Sequence, residues 1–286
     1  MKFRTEIGKV DIPVDIRHSV PLLMLGSCFT AEIGAKLNMD GFDVMYNPFG
    51  ALYNPCSIAN CLQRALARVP YGDDDLREGP RGWHCLDYST VFSGSDRNTV
   101  IEAIEKIRSD MAAQLQRKPV VFLTLGTSFV FEEKTTGRVV GNCHKFPASY
   151  FTRRRLELSE IIEVLSKCVE LLLDAGVNEI VFTVSPIRHT ADGLHGNMLS
   201  KSLLLLAVEE MCCKFPHKVY YFPAFEILYD DLRDYRFYDS DMKHPSEVAV
   251  DYIYSIFSET FFSPETRERA GIARRKYLAS QHRPIL

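Results

Sequence analysis

Two segments far apart in the chain carry residue types that together could break an acyl bond. The first is Leu25-Gly26-Ser27-Cys28-Phe29-Thr30. An apolar run enters a glycine turn, and a helical pattern follows at once. This sets small nucleophilic side chains beside a helix N-terminus, where unpaired N–H groups and the helix dipole stabilise an anion and favour a thiolate. The second is Asp239-Ser240-Asp241-Met242-Lys243-His244-Pro245-Ser246. An aspartate three residues ahead of a histidine can accept from one ring nitrogen while the other faces a nucleophile. Taken singly, a Ser-Cys pair at such a turn reads as cap and packing, and a surface Asp-His pair reads as structural. Brought to one edge of a sheet, the two segments make a nucleophile with its base.

The elements that must bring them together are legible as alternation. Five apolar runs, at 21–25, 43–46, 120–125, 179–184 and 218–222, read as strands buried on both faces, because they are continuous rather than alternating. Helical patterns fill 30–39, 57–68, 97–117, 153–173, 197–214 and 245–262. The alternation predicts an α/β fold, a three-layer α/β/α sandwich around a parallel sheet of about five strands with right-handed crossovers. Gly176 is expected to cap the helix at 153–173, and Pro245 suits the first turn of the helix at 245–262.

Two segments depart from the repeat. The stretch 76–94 is polar and irregular and holds the only tryptophan, Trp83; 129–140 alternates around Thr136-Gly137 as a β-hairpin. Insertions at such places decorate the face where ligands bind. Arg153-Arg154-Arg155 reads as the solvated start of a helix. The stretch 263–286 reads as a charged helix with a loose end. With no repeat and no linker, 1–286 reads as a single domain whose core spans 20–262.

Composition narrows the function. The 286 residues are 46% hydrophobic and 25% charged, with a net charge of −3 spread along the chain. That is ordinary globular composition and argues against a nucleic-acid partner. The N-terminus lacks an apolar leader, and runs such as Leu203-Leu204-Leu205-Leu206-Ala207-Val208 are too short to span a bilayer. A cytoplasmic protein with no membrane partner is expected. The eight cysteines then read as free thiols. Cys56, Cys61, Cys168, Cys212 and Cys213 fall in helical patterns as core, whereas Cys28, Cys85 and Cys143 sit beside turns. His84-Cys85 and Cys143-His144 lack zinc spacing, so no metal is expected. Gly126-Thr127-Ser128 lacks both phosphate-loop patterns, so no nucleotide cofactor is expected.

Further motifs carry a resemblance. Gly26-Ser27-Cys28-Phe29, Asn47-Pro48-Phe49-Gly50, Tyr53-Asn54-Pro55 and Leu125-Gly126-Thr127 look like the GSCFA family, as do Asn142-Cys143-His144-Lys145, Ser185-Pro186-Ile187-Arg188-His189 and Asp234-Tyr235-Arg236-Phe237-Tyr238. The resemblance covers roughly 20–262, with Thr30 where the family name has Ala. That family is similar to the SGNH (GDSL-like) hydrolases, which implies the same three-layer fold and a hydrolase site. Those enzymes typically open with Gly-Asp-Ser. Aligned on Gly26, Cys28 takes the nucleophile position, with Ser27 as the alternative. Gly50 matches the oxyanion glycine of the second block. The Asn of the third block is missing after Gly126, which leaves Ser128 or Asn142 as donors. Asp241 and His244 match the final Asp-x-x-His. His144 and His189 read as pocket or oxyanion groups, and Arg188 reads either as a clamp for a carboxylate or phosphate or as a strand-end salt bridge. Trp83 reads as core or lid packing, or as a platform for a sugar. The implied activity is hydrolysis of small O-acyl esters, such as acetylated sugars, without a cofactor. Acyl transfer from a thioester is the runner-up, and a non-catalytic ligand binder on the same fold is the reading from another class. The oligomeric state stays open.

Overall fold

The five apolar runs form one parallel sheet. The computed structural model describes residues 4–79 and 81–281. In chain order, β1 (Leu22–Gly26), α1 (Cys28–Met39), β2 (Val44–Tyr46) and α2 (Pro55–Leu66) come first. A small meander follows: β3 (Leu76–Gly79), β4 (Gly82–Cys85) and β5 (Ser93–Gly94). Next are α3 (Arg97–Gln116), β6 (Val120–Leu125) and a second small sheet of β7 (Phe129–Glu133), β8 (Val139–Val140) and β9 (Phe151–Arg155). The chain continues with α4 (Leu158–Asp174), β10 (Ile180–Val184), α5 (Gly193–Lys214), β11 (Val219–Tyr221), the single turn α6 (Ala224–Glu226), α7 (Glu247–Phe261) and α8 (Pro264–Gln281). The end of the expected charged tail, 282–286, lies outside the described residues.

The main sheet runs β11-β10-β6-β1-β2 with every pair parallel. The chain turns back between β1 and β6. In doubly wound sheets the crevice above the strand ends at that reversal is where ligands sit. The two faces of β1 bury alternate residues. Leu23 and Leu25 pack with α2, α3, α4 and α5, through residues such as Ile58, Ile104, Leu165 and Leu204. Leu22 and Met24 pack with α1, α7 and α8, through Phe29, Ile33, Ile253, Phe257 and Ala270. The expected three-layer sandwich is thus present. Each fully buried Leu, Ile or Phe stabilises it by about 2 kcal/mol. The stretch ahead of β1 joins the second layer through Ile12, Val14 and Ile16, and the Ile16 N–H donates to the Phe261 carbonyl (2.8 Å). Among the described residues no helix is long and apolar enough to cross a membrane.

Four expectations need correction. The arginine run is a strand: β9 pairs antiparallel with β7 over five residues. Its charges are met by partners across the sheet and beyond, Arg154 by Glu132 (2.8 Å) and Glu160 (2.9 Å), and Arg153 by Asp192 (3.0 Å). Helix α4 starts only at Leu158, where Glu160 accepts from the Glu157 N–H (2.7 Å). The stretch 76–94 is not irregular but a three-stranded antiparallel sheet. Pro245 precedes α7 rather than opening it, because Ser246 is the cap and accepts from Ala249. Helix α5 begins at Gly193, one turn earlier than the pattern suggested. The hairpin at 129–140 is present as β7 and β8. The two ends of the segment lie together, where the Leu156 N–H donates to the Ser128 carbonyl (2.9 Å), and its middle is tied to the first small sheet's connection, where the Gly141 and Asn142 N–H groups donate to the Leu86 carbonyl (2.8 and 2.9 Å).

Candidate active site

Gly26 ends β1 at a point where only glycine fits. Its φ is +148°, and a Cβ there would lie 2.2 Å from the Thr124 carbonyl oxygen on β6. Asn47 clamps the turn from the other side. Its Oδ1 accepts from the Gly26 N–H (2.9 Å), and its Nδ2 donates to the Ser27 carbonyl (3.1 Å). Ser27 is the N-cap residue of α1 and is fully buried, and its hydroxyl donates to Ser185 Oγ (2.9 Å) below the cavity floor. Cys28 is the first residue of α1, half-exposed, and its thiol opens into a cavity of about 600 Å³. Of the two nucleophile candidates, only Cys28 lines that cavity; Ser27 faces the interior.

The second segment meets the same cavity. His244 and Lys243 line it. The Asp241 carboxylate lies 2.6 Å from His244 Nδ1 and also accepts from the backbone N–H groups of His244 (2.9 Å) and Lys243 (2.8 Å). These bonds, the backbone ones first, hold the Asp241 carboxyl well below the usual carboxylate range. An ionised partner on Nδ1 leaves Nε2 as the nitrogen able to take a proton. The loop is anchored to the strand end after β10, where the Arg188 N–H donates to the Lys243 carbonyl (3.1 Å).

Three groups that the sequence reading did not select complete the site. Tyr53 OH lies 3.0 Å from Cys28 Sγ. Burial, with the neighbouring thiol adding to it, pushes the Tyr53 phenol well up, so it stays a hydroxyl that can donate to an anion. Asn54, next to it, lines the cavity and caps α2: its Oδ1 accepts from Ser57 N–H (2.9 Å) and its Nδ2 donates to Ser57 Oγ (3.0 Å). One amide hydrogen of Nδ2 remains. Lys201 is 1% exposed, and its Nζ donates to the carbonyls of Gly126 and Ser185, both at 2.7 Å. Burial pushes the Lys201 amine down to about 7. It ties the ends of β6 and β10 beneath the cavity. The Tyr53-Asn54-Pro55 motif was a signal for the first two. Lys201 gave none, because it sits in a leucine-rich helix and its acceptors are remote in sequence.

The remaining expected residues divide. His189 lines the cavity with its ring edge toward Tyr53 (5.6 Å between centroids), and its Nε2 is buried without a hydrogen-bond partner. Burial first, then the charges of Lys201, His244 and Arg153, push His189 down to about 3, so it is neutral. Arg188 lines the cavity too, with its guanidinium over the Tyr238 ring at 4.1 Å. Gly50 is corrected as an oxyanion donor. Its N–H already donates to the Asn47 carbonyl (2.8 Å), and its φ of +84° and contact with Ser89 make it a turn residue. Ser128 is fully buried and bonded to Ser200 Oγ through both its N–H (2.8 Å) and its hydroxyl (3.1 Å). Asn142 accepts from the His144 N–H (2.9 Å) and shapes a local turn outside the cavity. His144 is buried between the two small sheets, with Nε2 2.7 Å from the Cys85 carbonyl and its ring 5.0 Å from that of His84. Trp83 packs against the core beneath the Arg97 guanidinium and is not in the cavity wall. Among the described residues no group of His, Cys, Asp and Glu is placed to hold a metal ion.

Of the comparisons with known proteins, the family model agrees with the GSCFA motifs. No curated protein matches the chain. Among solved structures, a carbohydrate esterase family 3 protein from Talaromyces cellulolyticus is similar at 12% identity, over 88% of this chain and 99% of that one, with a TM-score of 0.36. The model of the GSCFA family matches residues 21–257, from the first strand of the main sheet into α7, and so takes in both Cys28 and His244. By that match the chain belongs to the GSCFA family.

Proposed function

We propose that this protein is an acyl-ester hydrolase that works through a covalent thioester on Cys28. The observation that carries the reading is that Cys28 and His244 share the wall of one cavity, with Asp241 on the far nitrogen of the imidazole. His244 Nε2 takes the thiol proton, and the sulfur attacks the ester carbonyl. The tetrahedral oxyanion is met by the N–H groups at the very start of α1, ahead of Thr30, whose own N–H donates to the Ser27 carbonyl, and by the Tyr53 hydroxyl or the Asn54 amide. Collapse breaks the carbon–oxygen bond, and the leaving alkoxide takes the proton from the imidazolium. A water, deprotonated by His244, then attacks the thioester. It releases the carboxylic acid, and the sulfur regains a proton. Asn54 takes the place of the donor sought in Ser128 and Asn142.

The room in the cavity favours one second reading, in which a hydroxyl replaces water and the acyl group is transferred. Small O-acyl esters, including acetylated sugars, are the substrate class for hydrolysis, and a thioester is the acyl donor for transfer. The test is turnover of p-nitrophenyl acetate by Cys28→Ala and Ser27→Ala. The cysteine variant is expected to lose at least about 1000-fold, in line with removal of a nucleophile, and the serine variant to keep most of the rate. Equal turnover by the parent protein and Cys28→Ala would mean that the thiol is not the nucleophile.

A further inference from the structure

The cavity that holds Cys28 is electrically one-sided. Arg153, Arg188 and Lys243 line it, and no aspartate or glutamate does. This is so although the whole chain has 37 acidic residues against 34 lysines and arginines. The nearest carboxylates stand behind the wall and are engaged, Asp192 by Arg153 and Asp241 by His244. Arg188 is different. Among the described residues it makes no ion pair. Its guanidinium lies over the Tyr238 ring at 4.1 Å and near the Tyr235 ring at 5.4 Å. Both of those tyrosines, with Arg233 and Asp234, line a smaller cavity of about 170 Å³ that Arg188 also borders, so Arg188 stands between the two cavities. The Asp234 carboxylate there accepts from the Arg236 N–H (2.9 Å). The backbone bond to Lys243 fixes Arg188 beside the His244 loop.

A guanidinium seated over an aromatic ring, here with the Tyr238 hydroxyl also in hydrogen-bond reach, still has N–H groups to present as a planar edge. That edge matches the paired oxygens of a carboxylate or a phosphate. A cavity lined by one sign of charge also concentrates the opposite ion. We propose that the substrate is anionic, and that Arg188 holds its oxyanion group beside Lys243 while the acyl carbon meets Cys28. This rests on the proposed attack by Cys28 for the position of the reacting carbon, but the anion site itself does not.

The test is calorimetric titration at low salt with succinate, with inorganic phosphate and with the neutral diamide of succinate. At least one oxyanion is expected to bind the parent protein while the diamide does not; which one binds separates a carboxylate from a phosphate substrate. Arg188→Gln is expected to weaken that binding by at least about 10-fold, and Cys28→Ser to leave it in place. Should the Gln variant not fold, as judged by circular dichroism, Arg188→Lys keeps the charge without the fork and is expected to lose about 3-fold or more. Binding lost with Arg188 in a protein that turns over no ester would uphold the anion site and remove the catalytic reading. Cys28-dependent ester turnover, with oxyanions bound equally by parent and Arg188 variants or by neither, would overturn the proposal.

Discussion

The two halves of the site are built in opposite ways. The nucleophile side is held from a distance. Ser27 and Lys201 are buried, and their bonds reach to Ser185 and Gly126 on other strand ends. The side that carries the proposed base is held mostly by its own loop. Asp241 and His244 are 43% and 46% exposed, and the side-chain bonds of Asp241 span three residues or fewer, with one long-range backbone bond from Arg188 N–H to the Lys243 carbonyl. A group that must sit at one point above a sheet is located by several strands at once. A group that must only turn its ring needs one neighbour. Damage to the first half should therefore register in the fold, and damage to the second in the chemistry.

The sharpest way to break that contrast is Asp241→Asn. It keeps the shape but removes the ionised acceptor that fixes the imidazole tautomer, so ester turnover should fall by about 10²- to 10⁴-fold. The thermal midpoint should stay where it was. A large drop in the midpoint would show that the loop carries fold stability after all. The next effect belongs to the other half. Lys201→Met leaves the Gly126 and Ser185 carbonyls without donors and should cost about 2–3 kcal/mol, read as a lower urea midpoint at unchanged slope. The same lysine gives a pH signature. Its folded value is pushed down to about 7, while the unfolded chain keeps its proton to near 10.5. The parent protein should therefore gain stability as pH rises from about 7 toward 10, and Lys201→Met should lack that gain.

Two smaller effects sharpen the picture. Ser27→Ala removes a buried hydroxyl pair and should cost about 1 kcal/mol in the same urea measurement. A loss in rate as large as that of Cys28→Ala would instead restore Ser27 as a nucleophile. His189 is pushed down to about 3, so the unfolded chain takes up its proton first as pH falls below about 6.5. The stability tied to its neutral ring is present above that pH and lost from about 6.5 toward 3. His189→Phe should flatten that part of the acid transition, which a pH series of thermal midpoints would reveal.

The legible part of this molecule was what depends on period and on short spacing. The five apolar runs gave the strands of the main sheet, and the Asp-x-x-His spacing gave the Asp241–His244 contact at 2.6 Å. What escaped depends on partners far along the chain. Lys201 sits among leucines, and its acceptor Gly126 lies 75 residues away. The arginines of β9 were read as a helix start because their countercharges, Glu132 and Asp192, lie on other elements. Gly50 was read by motif as a donor, whereas its N–H is engaged inside its own turn. Tyr53 and Asn54 lay in a quoted motif, but nothing local said that the chain there crosses the mouth of the cavity.

The way the second small sheet joins the core has a consequence for exchange of specificity. Phe129, Phe131 and Arg153 from that sheet line the cavity, while Cys28, His244 and Asp241 come from elsewhere. The inserted segment departs and returns beside the backbone bond between Leu156 and Ser128, and is pinned a second time where the Gly141 and Asn142 N–H groups donate to the Leu86 carbonyl (2.8 and 2.9 Å). It is a cassette with two sockets. A hairpin of another length or composition has to meet both sets of backbone groups to present a new wall to the ligand. The cavity wall and the proposed Cys28–His244 pair are therefore carried by different parts of this chain, open to grafting one without redesign of the other.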